Sequence, residues 1–368
     1  MNDASYSTES TATDSFAARV QLVVRTVAVW GICIAILVLA HEFFLLMFAA
    51  ILFAVFANEG ARLVQTVTGL ERKWSLPIFL LILLSLVAIG LWMGGQMLVE
   101  QSREAIDALR SNADRMEKYL GDSGIPVKFK SMAPSMASGD SLGYAKAFFS
   151  STFGFFTNAL FIVVVGVFLA SSPSSYREGI AALWPEKLRE GVSKLLDMSG
   201  QTLKHWLLGQ LVSMSIIAVV VSVSLSILGV PAAIALGLFA GAITFIPTIG
   251  ATLAIIPALV LAAQQGTGTM LAVLVIYGIA QFFESNVATP LIQNQQVNLT
   301  AAAILGGQLF AGLLFGFLGV ALITPFLAVA QLWLRKLYLP ARQRNMPVRQ
   351  YVFEVLQSPD QLESSSDS

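Results

Sequence analysis

Long apolar runs alternate with short polar ones along this chain from residue 20 to residue 339. A helix that crosses a bilayer needs about 20 mostly apolar residues. Runs of that kind are Val20–Ala40, Phe43–Ala57, Leu76–Val99, Phe148–Ala170 and His205–Leu228. Only His41 and Glu42 separate the first two, which predicts a tight helical hairpin. The second run is short, so its ends are expected to extend into the polar flanks. Arg62, Arg72 and Lys73 mark a basic-leaning loop before the third run. Trp74 then stands as an interfacial anchor, and Pro77 falls in a first turn, where its missing N–H costs little.

Two polar blocks interrupt this pattern. In Glu100–Lys146, residues Ile106, Leu109, Ala113, Met116 and Leu120 recur at spacings of three and four, the stripe of an amphipathic helix. The Gly-, Ser- and Pro-rich stretch Gly121–Gly143 reads as loop. In Ser171–Lys204, Ser175 and Glu178 make a capping-box pattern after Pro173, and Pro185 starts a second helix. Leu188, Val192, Leu195 and Leu203 lie on one side of that second helix, which is expected to run on into the fifth span.

The stretch Gly229–Ala263 is apolar throughout, yet Pro231, Pro247 and Pro257 break it and Gly237, Gly241 and Gly250 loosen it. Backbone groups freed by proline must find partners in protein or water when hydrocarbon is the solvent. The segment is therefore either a helical hairpin, re-entrant or spanning, or a pair of broken helices facing a polar cavity. A further span, Met270–Phe283, ends at Glu284, and the polar link Ser285–Asn298 follows. The last apolar block, Leu299–Leu339, is long enough for two helices turning near Gly316–Gly319.

Composition agrees with lipid as the solvent. Hydrophobic residues make up 56% of the chain and charged ones 12%, against about a quarter charged in soluble domains. The fold class is an all-α integral membrane protein, a polytopic bundle of about 7–8 transmembrane helices with a proline-broken hairpin or re-entrant segment. The expected organisation is a disordered N-terminus (1–15), helices one to three (16–99), an extracytoplasmic insertion (100–147) and a fourth helix (148–170). Cytoplasmic amphipathic helices (171–204), a C-terminal transport core (205–339) and a cytoplasmic tail (340–368), disordered at its Ser- and acid-rich end, complete it. No cleavable signal peptide is expected at the N-terminus. Fifteen of the 22 basic residues fall in segments assigned to one side, which places both termini in the cytoplasm. The net charge of zero points away from nucleic acid.

Candidate chemistry is sparse. The single cysteine, Cys33, lies in an apolar run as a small buried side chain. His41 and His205, both read as interfacial, are too few for a zinc site, so neither metal nor cofactor is expected, and no nucleophile–base pair suggests an enzyme. No Gly-rich loop ends in Lys-Ser/Thr to hold ATP phosphates. Glu284 is the informative charge, because carboxylates in apolar spans tend to face a cavity, and Gln281 lies on the same span. A helix-end cap or an ion pair at the interface is the competing role. Phe245, Pro247 and Gly250 sit midway in the broken segment, with Pro257 beyond them, as candidates for a gate or solute site. A plain turn is the alternative there. Asn158, Gln210, Gln264 and Gln308 are read as hydrogen-bonding glue between helices, and Gly90/Gly94, Gly237/Gly241 and Gly312/Gly316 as close-packing pairs.

The order of motifs resembles the autoinducer-2 exporter family of bacterial membrane transporters. It is carried by Gly209-Gln210, Leu228-Gly229-Val230-Pro231, Phe245-Ile246-Pro247-Thr248-Ile249-Gly250 and Ile256-Pro257-Ala258. Glu284-Ser285-Asn286, Thr289-Pro290 with Ile292, Gly306-Gly307, Gly319 and Thr324-Pro325 continue it. The resemblance implies a homo-oligomeric inner-membrane exporter of small solutes, with autoinducer-2 as namesake and sodium/proton antiport among relatives. It adds Asn286 and Pro290 to the candidates around Glu284. The chain departs from the family pattern after Pro290, where Leu291, Gln293 and Asn294 replace a basic residue and a glycine. It departs again at Asn298-Leu299-Thr300, where a histidine before a proline is common.

The expected function is gradient-driven export of a small polar solute. Glu284 carries a proton, Gln281 and Asn286 orient it, and the Pro247 region gates; the coupling ion is H⁺ or Na⁺. A passive channel formed by an oligomer and a non-transporting membrane scaffold are the rival readings.

Overall fold

The computed structural model describes residues 24–26, 31, 40–90, 141–247, 249–284, 300–358 and 362. Cys33, Asn286, Pro290 and the insertion stripe from Ile106 to Leu120 lie outside the described residues. The chain divides into two units, Met1–Phe48 and Ala49–Ser368. In the first, a helix starts at His41, where the Phe44 N–H donates to the Ala40 carbonyl at 3.2 Å. The packing that follows is that of the second unit.

Every element among the described residues is helical. α1 (His41–Thr68) and α2 (Arg72–Gly90) are joined by a tight turn at Gly69, whose φ is +71°. The region read as a basic loop from Asn58 is thus mostly helix. Ala, Arg and Gln continue the helix beyond the apolar run, and the charged residues there find partners: Arg62 and Lys204 both pair with Glu59, at 3.4 and 2.8 Å. α3 (Ser141–Ser171) leads to α4 (Pro173–Ala182) through a bend of 89°. α4 begins at Pro173 rather than at Ser175, with Ser172 as N-cap and without a side-chain capping bond. Proline suits this first position because its fixed φ is already helical.

α5 (Glu186–Ile227) is one unbroken helix of 42 residues. Its polar N-terminal part, up to Lys204, buries Leu188, Val192, Leu195 and Leu203, and its apolar remainder is long enough to span. α6 (Ala233–Ile243) returns antiparallel along it. A β-carbon on Gly237 would stand 2.6 Å from the Ala218 carbonyl oxygen, and one on Gly241 2.6 Å from that of Met214. Only glycine allows that approach. α7 (Ile249–Ala263) folds back on α6, with Gly250 against the Ile243 carbonyl, and α8 (Thr267–Phe283) packs on α7. Gly229–Ala263 is therefore a helical hairpin. Its arms are about 16 and 22 Å long at ~1.5 Å per residue, short of the ~30 Å hydrocarbon core. It returns to the side from which it came. Gln265 ties its open end by donating to the Gly229 carbonyl at 2.6 Å, while Gln264, expected to be the glue, is exposed.

The shared core of α5–α8 mixes small side chains, among them Ala233, Ala240, Ala254, Ala258, Ala262 and Ala280, with larger ones such as Val221, Leu225, Leu236, Val273 and Tyr277. Other large ones such as Ile234, Leu238, Leu253, Leu271 and Phe282 point outward. Lipid solvates large apolar groups as well as a protein core does, so helices associate through the residues that let backbones approach.

α9 (Ala301–Trp333) is capped by Thr300, whose hydroxyl accepts from the Ala303 N–H at 3.3 Å. By length alone the run Ala302–Gln343 is one long span. Gly316, with φ 64° and ψ −151°, folds it into a hairpin. Antiparallel contacts show the fold-back, with Gly319 over the Ala311 carbonyl, Gly312 under Val320, and Gly307 against Ile323 and Leu327. The Gly312/Gly316 pair therefore divides its work, one residue packing and the other turning. Gly90 meets no described neighbour within 4 Å. The corner of φ/ψ space that Gly316 occupies is essentially closed to residues with a β-carbon. Gly316→Val is expected to cost about 1–3 kcal/mol and to lower the unfolding temperature in detergent. An unchanged melting curve would show that the turn does not depend on glycine.

After a π-helical turn at Leu334–Tyr338 come α10 (Leu339–Gln343) and α11 (Val348–Gln357). α11 docks Tyr351, Val355 and Leu356 onto the first third of α5, where Leu356 packs with Ala181, Leu188 and Val192. The tail is thus ordered at least to Ser358 and belongs to the same end of the molecule as α4.

Candidate functional site

The turn between α6 and α7 exposes the Thr244 and Pro247 carbonyls, the second of which also accepts from the Ile249 N–H at 2.8 Å. Two glutamines supply them from other helices. Gln210 of α5 donates Nε2 to the Thr244 carbonyl at 2.6 Å, and Gln308 of α9 donates Nε2 to the Pro247 carbonyl at 2.9 Å. Thr244 turns its own hydroxyl back to the Ala240 carbonyl at 2.7 Å. Phe245 meets Trp206, one turn before Gln210, edge to face at a centroid distance of 5.8 Å. The expected interhelical role of Gln210 and Gln308 is real, and its target is the hairpin tip.

The levels of these groups follow from register. Ser199 and Gln210 are eleven residues apart on α5, about 16 Å. Trp333 donates Nε1 to the Ser199 hydroxyl at 2.9 Å, so the end of α9 lies level with Ser199. Nine residues back from Trp333, about 14 Å, stands Thr324. In the α9 hairpin Thr324 faces Gln308, because Gly312–Val320 and Gly307–Leu327 fix the pairing. Gln308, Thr324, Pro247, Thr244 and Gln210 therefore share one level. The tip at 244–247 points toward the α4 end, and the tip at Gly316 points away from it. The two hairpins enter from opposite sides and overlap at Gln308 and Pro247.

Glu284 joins this level from α8. The Tyr277 hydroxyl donates to the Ala254 carbonyl at 3.2 Å. Carried seven residues along the antiparallel pair, that register sets Glu284 opposite Pro247. Glu284 caps α8 and is 7% exposed, with Gln281 half-buried one turn before it. Of the other candidates, Phe245 and Pro247 are half-buried at the tip and Gly250 is buried beside it. Pro257 is not brought to the tip. It sits inside α7, seven residues past Gly250, where it withholds an N–H from the Leu253 carbonyl.

Three polar atoms at this level have no hydrogen-bond partner among the described residues: Trp206 Nε1, Gln308 Oε1 and Thr324 Oγ1. The residues are 4%, 1% and 2% exposed. Buried polar atoms are nearly always bonded, and an unmet one costs about 1–3 kcal/mol. One donor, one acceptor and one hydroxyl that does both are the groups that a small polar solute or water would engage. Trp206 and Thr324 were not singled out as site residues from the sequence. The only signal was a polar atom in an apolar stretch, shared with many residues that merely pack. Among the described residues no group of three His, Cys, Asp or Glu could hold a metal ion.

Overlapping broken helices that surround unmet polar groups within an apolar bundle define a membrane transporter. Residues 26–338 match the profile of the AI-2E family transporters, and this chain belongs to that family. It is 30% identical over 147 residues to "Putative transport protein YrrI" of Bacillus subtilis, covering 40% of this chain and 42% of that one. It is 28% identical over 222 residues to "Putative transport protein" of Thermotoga maritima, covering 59% of this chain and 68% of that one. Against "Putative transport protein YueF" of Bacillus subtilis it is 25% identical over 187 residues, half of each chain. The chain thus spans less than half of the first relative, about two-thirds of the second and half of the third.

Proposed function

We propose that this transporter exports a small polar solute across the bacterial inner membrane, driven by a proton or sodium gradient, and performs no catalysis. The observation that supports the reading is the overlap of the 244–247 tip with the arms of the α9 hairpin beside Gln308 Oε1 and Thr324 Oγ1, both buried and without a hydrogen-bond partner among the described residues. The solute bonds to those two oxygens and to Trp206 Nε1. Glu284, level with the tip, exchanges the coupling ion, with Gln281 and Asn286 orienting its carboxylate. Phe245, Pro247 and Gly250 form the moving tip, which the glutamines hold through its carbonyls. Short arms that stop inside the membrane can shift without unthreading a span.

Both termini lie in the cytoplasm in this reading, supported by the basic residues of segments 58–73 and 171–204 and of the tail, which share the α4 end. The resemblance to oligomeric relatives supports a homo-oligomer.

The test uses proteoliposomes loaded with autoinducer-2. An imposed gradient of one pH unit should sustain a solute ratio of about tenfold per coupled proton, since about 1.4 kcal/mol equals a factor of ten. A sodium gradient is the parallel arm. Flux that only equalises concentrations under both gradients favours a passive pore. No flux of autoinducer-2 or of related polyols removes the solute assignment.

A further inference from the structure

We propose that α4 and the two residues after it form an in-plane anchor that lies in the phospholipid headgroup layer at the α4 end. This rests on the membrane assignment alone and is independent of the solute and the coupling ion.

α4 leaves α3 at 89°. α3 is apolar and exposes Phe156, Leu160, Val163 and Phe168, so its surface faces lipid. A helix at a right angle to a spanning helix runs parallel to the bilayer surface. Three faces can be distinguished on it. Tyr176, Ile180 and Leu183 recur at spacings of four and three, Trp184 extends the stripe, and all four are exposed, Leu183 at 84%. Arg177 and Ala181 face α5, through the Arg177–Asp197 ion pair and burial against Leu188, Val192 and Leu356. Ser174, Ser175 and Glu178 lie on the remaining side and are exposed.

One apolar stripe, one packed face and one polar face are the pattern of a helix that rests at an interface. The exposed stripe follows directly on α3, whose exposed apolar residues face lipid, which commits its occupant to lipid. Its aromatic members also match the level. Exposed Trp74, Trp333 and Tyr338 gather at the same end as Tyr176 and Trp184, because Lys204 pairs with Glu59 and Ser199 with Trp333. Tryptophan and tyrosine belong at headgroup depth, where the ring is buried and the polar atom stays wet.

The single native cysteine makes a direct test clean. In a Cys33→Ser background, Ser174→Cys, Glu178→Cys, Ile180→Cys and Leu183→Cys are each labelled with a nitroxide in phospholipid vesicles. Collisions with oxygen, which concentrates in lipid, are compared with collisions with a water-soluble nickel chelate. The oxygen-to-nickel ratio should be several-fold higher at 180 and 183 than at 174 and 178. Equal ratios would overturn the proposal. So would exclusion of both reagents at 180 and 183, which would mean that protein covers the stripe. A label-free check is Trp184→Phe, which should remove part of the fluorescence quenched by phospholipids brominated near the headgroup. Unchanged quenching would overturn the proposal independently of the labels.

Discussion

Replacing Glu284 with glutamine should abolish ion-driven accumulation while leaving the folded yield unchanged or improved. The side chain ends an apolar helix and is 7% exposed. An ionised carboxylate in hydrocarbon costs about 2.5–3.5 kcal/mol on insertion scales, so the group is tolerated there for a reason other than stability. Glutamine keeps the shape and one acceptor oxygen, replaces the other oxygen with an NH2 donor, and removes the exchangeable charge. The steady-state solute ratio in proteoliposomes should fall from about tenfold per coupled proton to unity. Glu284→Asp, which keeps the charge on a shorter stem, should retain partial coupling. A glutamine variant that still concentrates solute would exclude Glu284 as the coupling group, whatever else the hairpins do.

The second large effect separates binding from architecture at Thr324 and Gln308. Both are buried, but they differ in what the fold asks of them. The Thr324 hydroxyl has no partner among the described residues. Thr324→Val therefore removes an unmet polar atom without breaking a bond, and thermal stability in detergent should hold or rise. Flux should nevertheless fall by about tenfold or more, the value of one lost hydrogen bond to a solute at roughly 1.5 kcal/mol. Gln308→Leu also removes a partnerless oxygen, but it takes away the donor to Pro247 as well. The Pro247 carbonyl keeps its bond from the Ile249 N–H at 2.8 Å, so the lost bond should cost about 1 kcal/mol. Flux and stability should then fall together. If Thr324→Val lost stability and kept its flux, the cluster would be a structural network rather than a solute site.

The opposed hairpins give these residues a common purpose. A continuous helix satisfies its own backbone and offers a solute nothing but side chains. A break exposes carbonyls, which in lipid must be met from elsewhere. Here α5 and α9 each lend a glutamine, so side-chain bonds that can exchange add to the few backbone bonds of the tip, whereas the arms are held by continuous helical bonding.

Much of this was legible in the sequence. Solvent preference, and so fold class, follows from long apolar runs, because the hydrophobic effect is set by composition over about 20 residues. The breaks at Pro247 and Gly316 were legible too, since proline lacks an N–H and glycine alone reaches certain backbone angles. Family membership followed from motif order. The short second run signalled a helix reaching past its apolar end, though not how far beyond Asn58, and the helix at Val348–Gln357 was not legible. There helix formation depended on partners brought by the fold, Lys204 for Glu59 and the first third of α5 for Leu356.

The site shows the same division. The local pattern alone identified Glu284 and the Pro247 turn as unusual. Only tertiary structure set them at one level, gave Gln210 and Gln308 their carbonyls, left Thr324 and Trp206 with polar atoms unmet among the described residues, and kept Pro257 away from the tip. Spacing along a chain specifies which residues share a helix face. Which faces meet is decided by packing between helices distant in sequence, and among lipid-solvated helices that packing depends on small side chains and paired polar groups rather than on hydrophobic pattern.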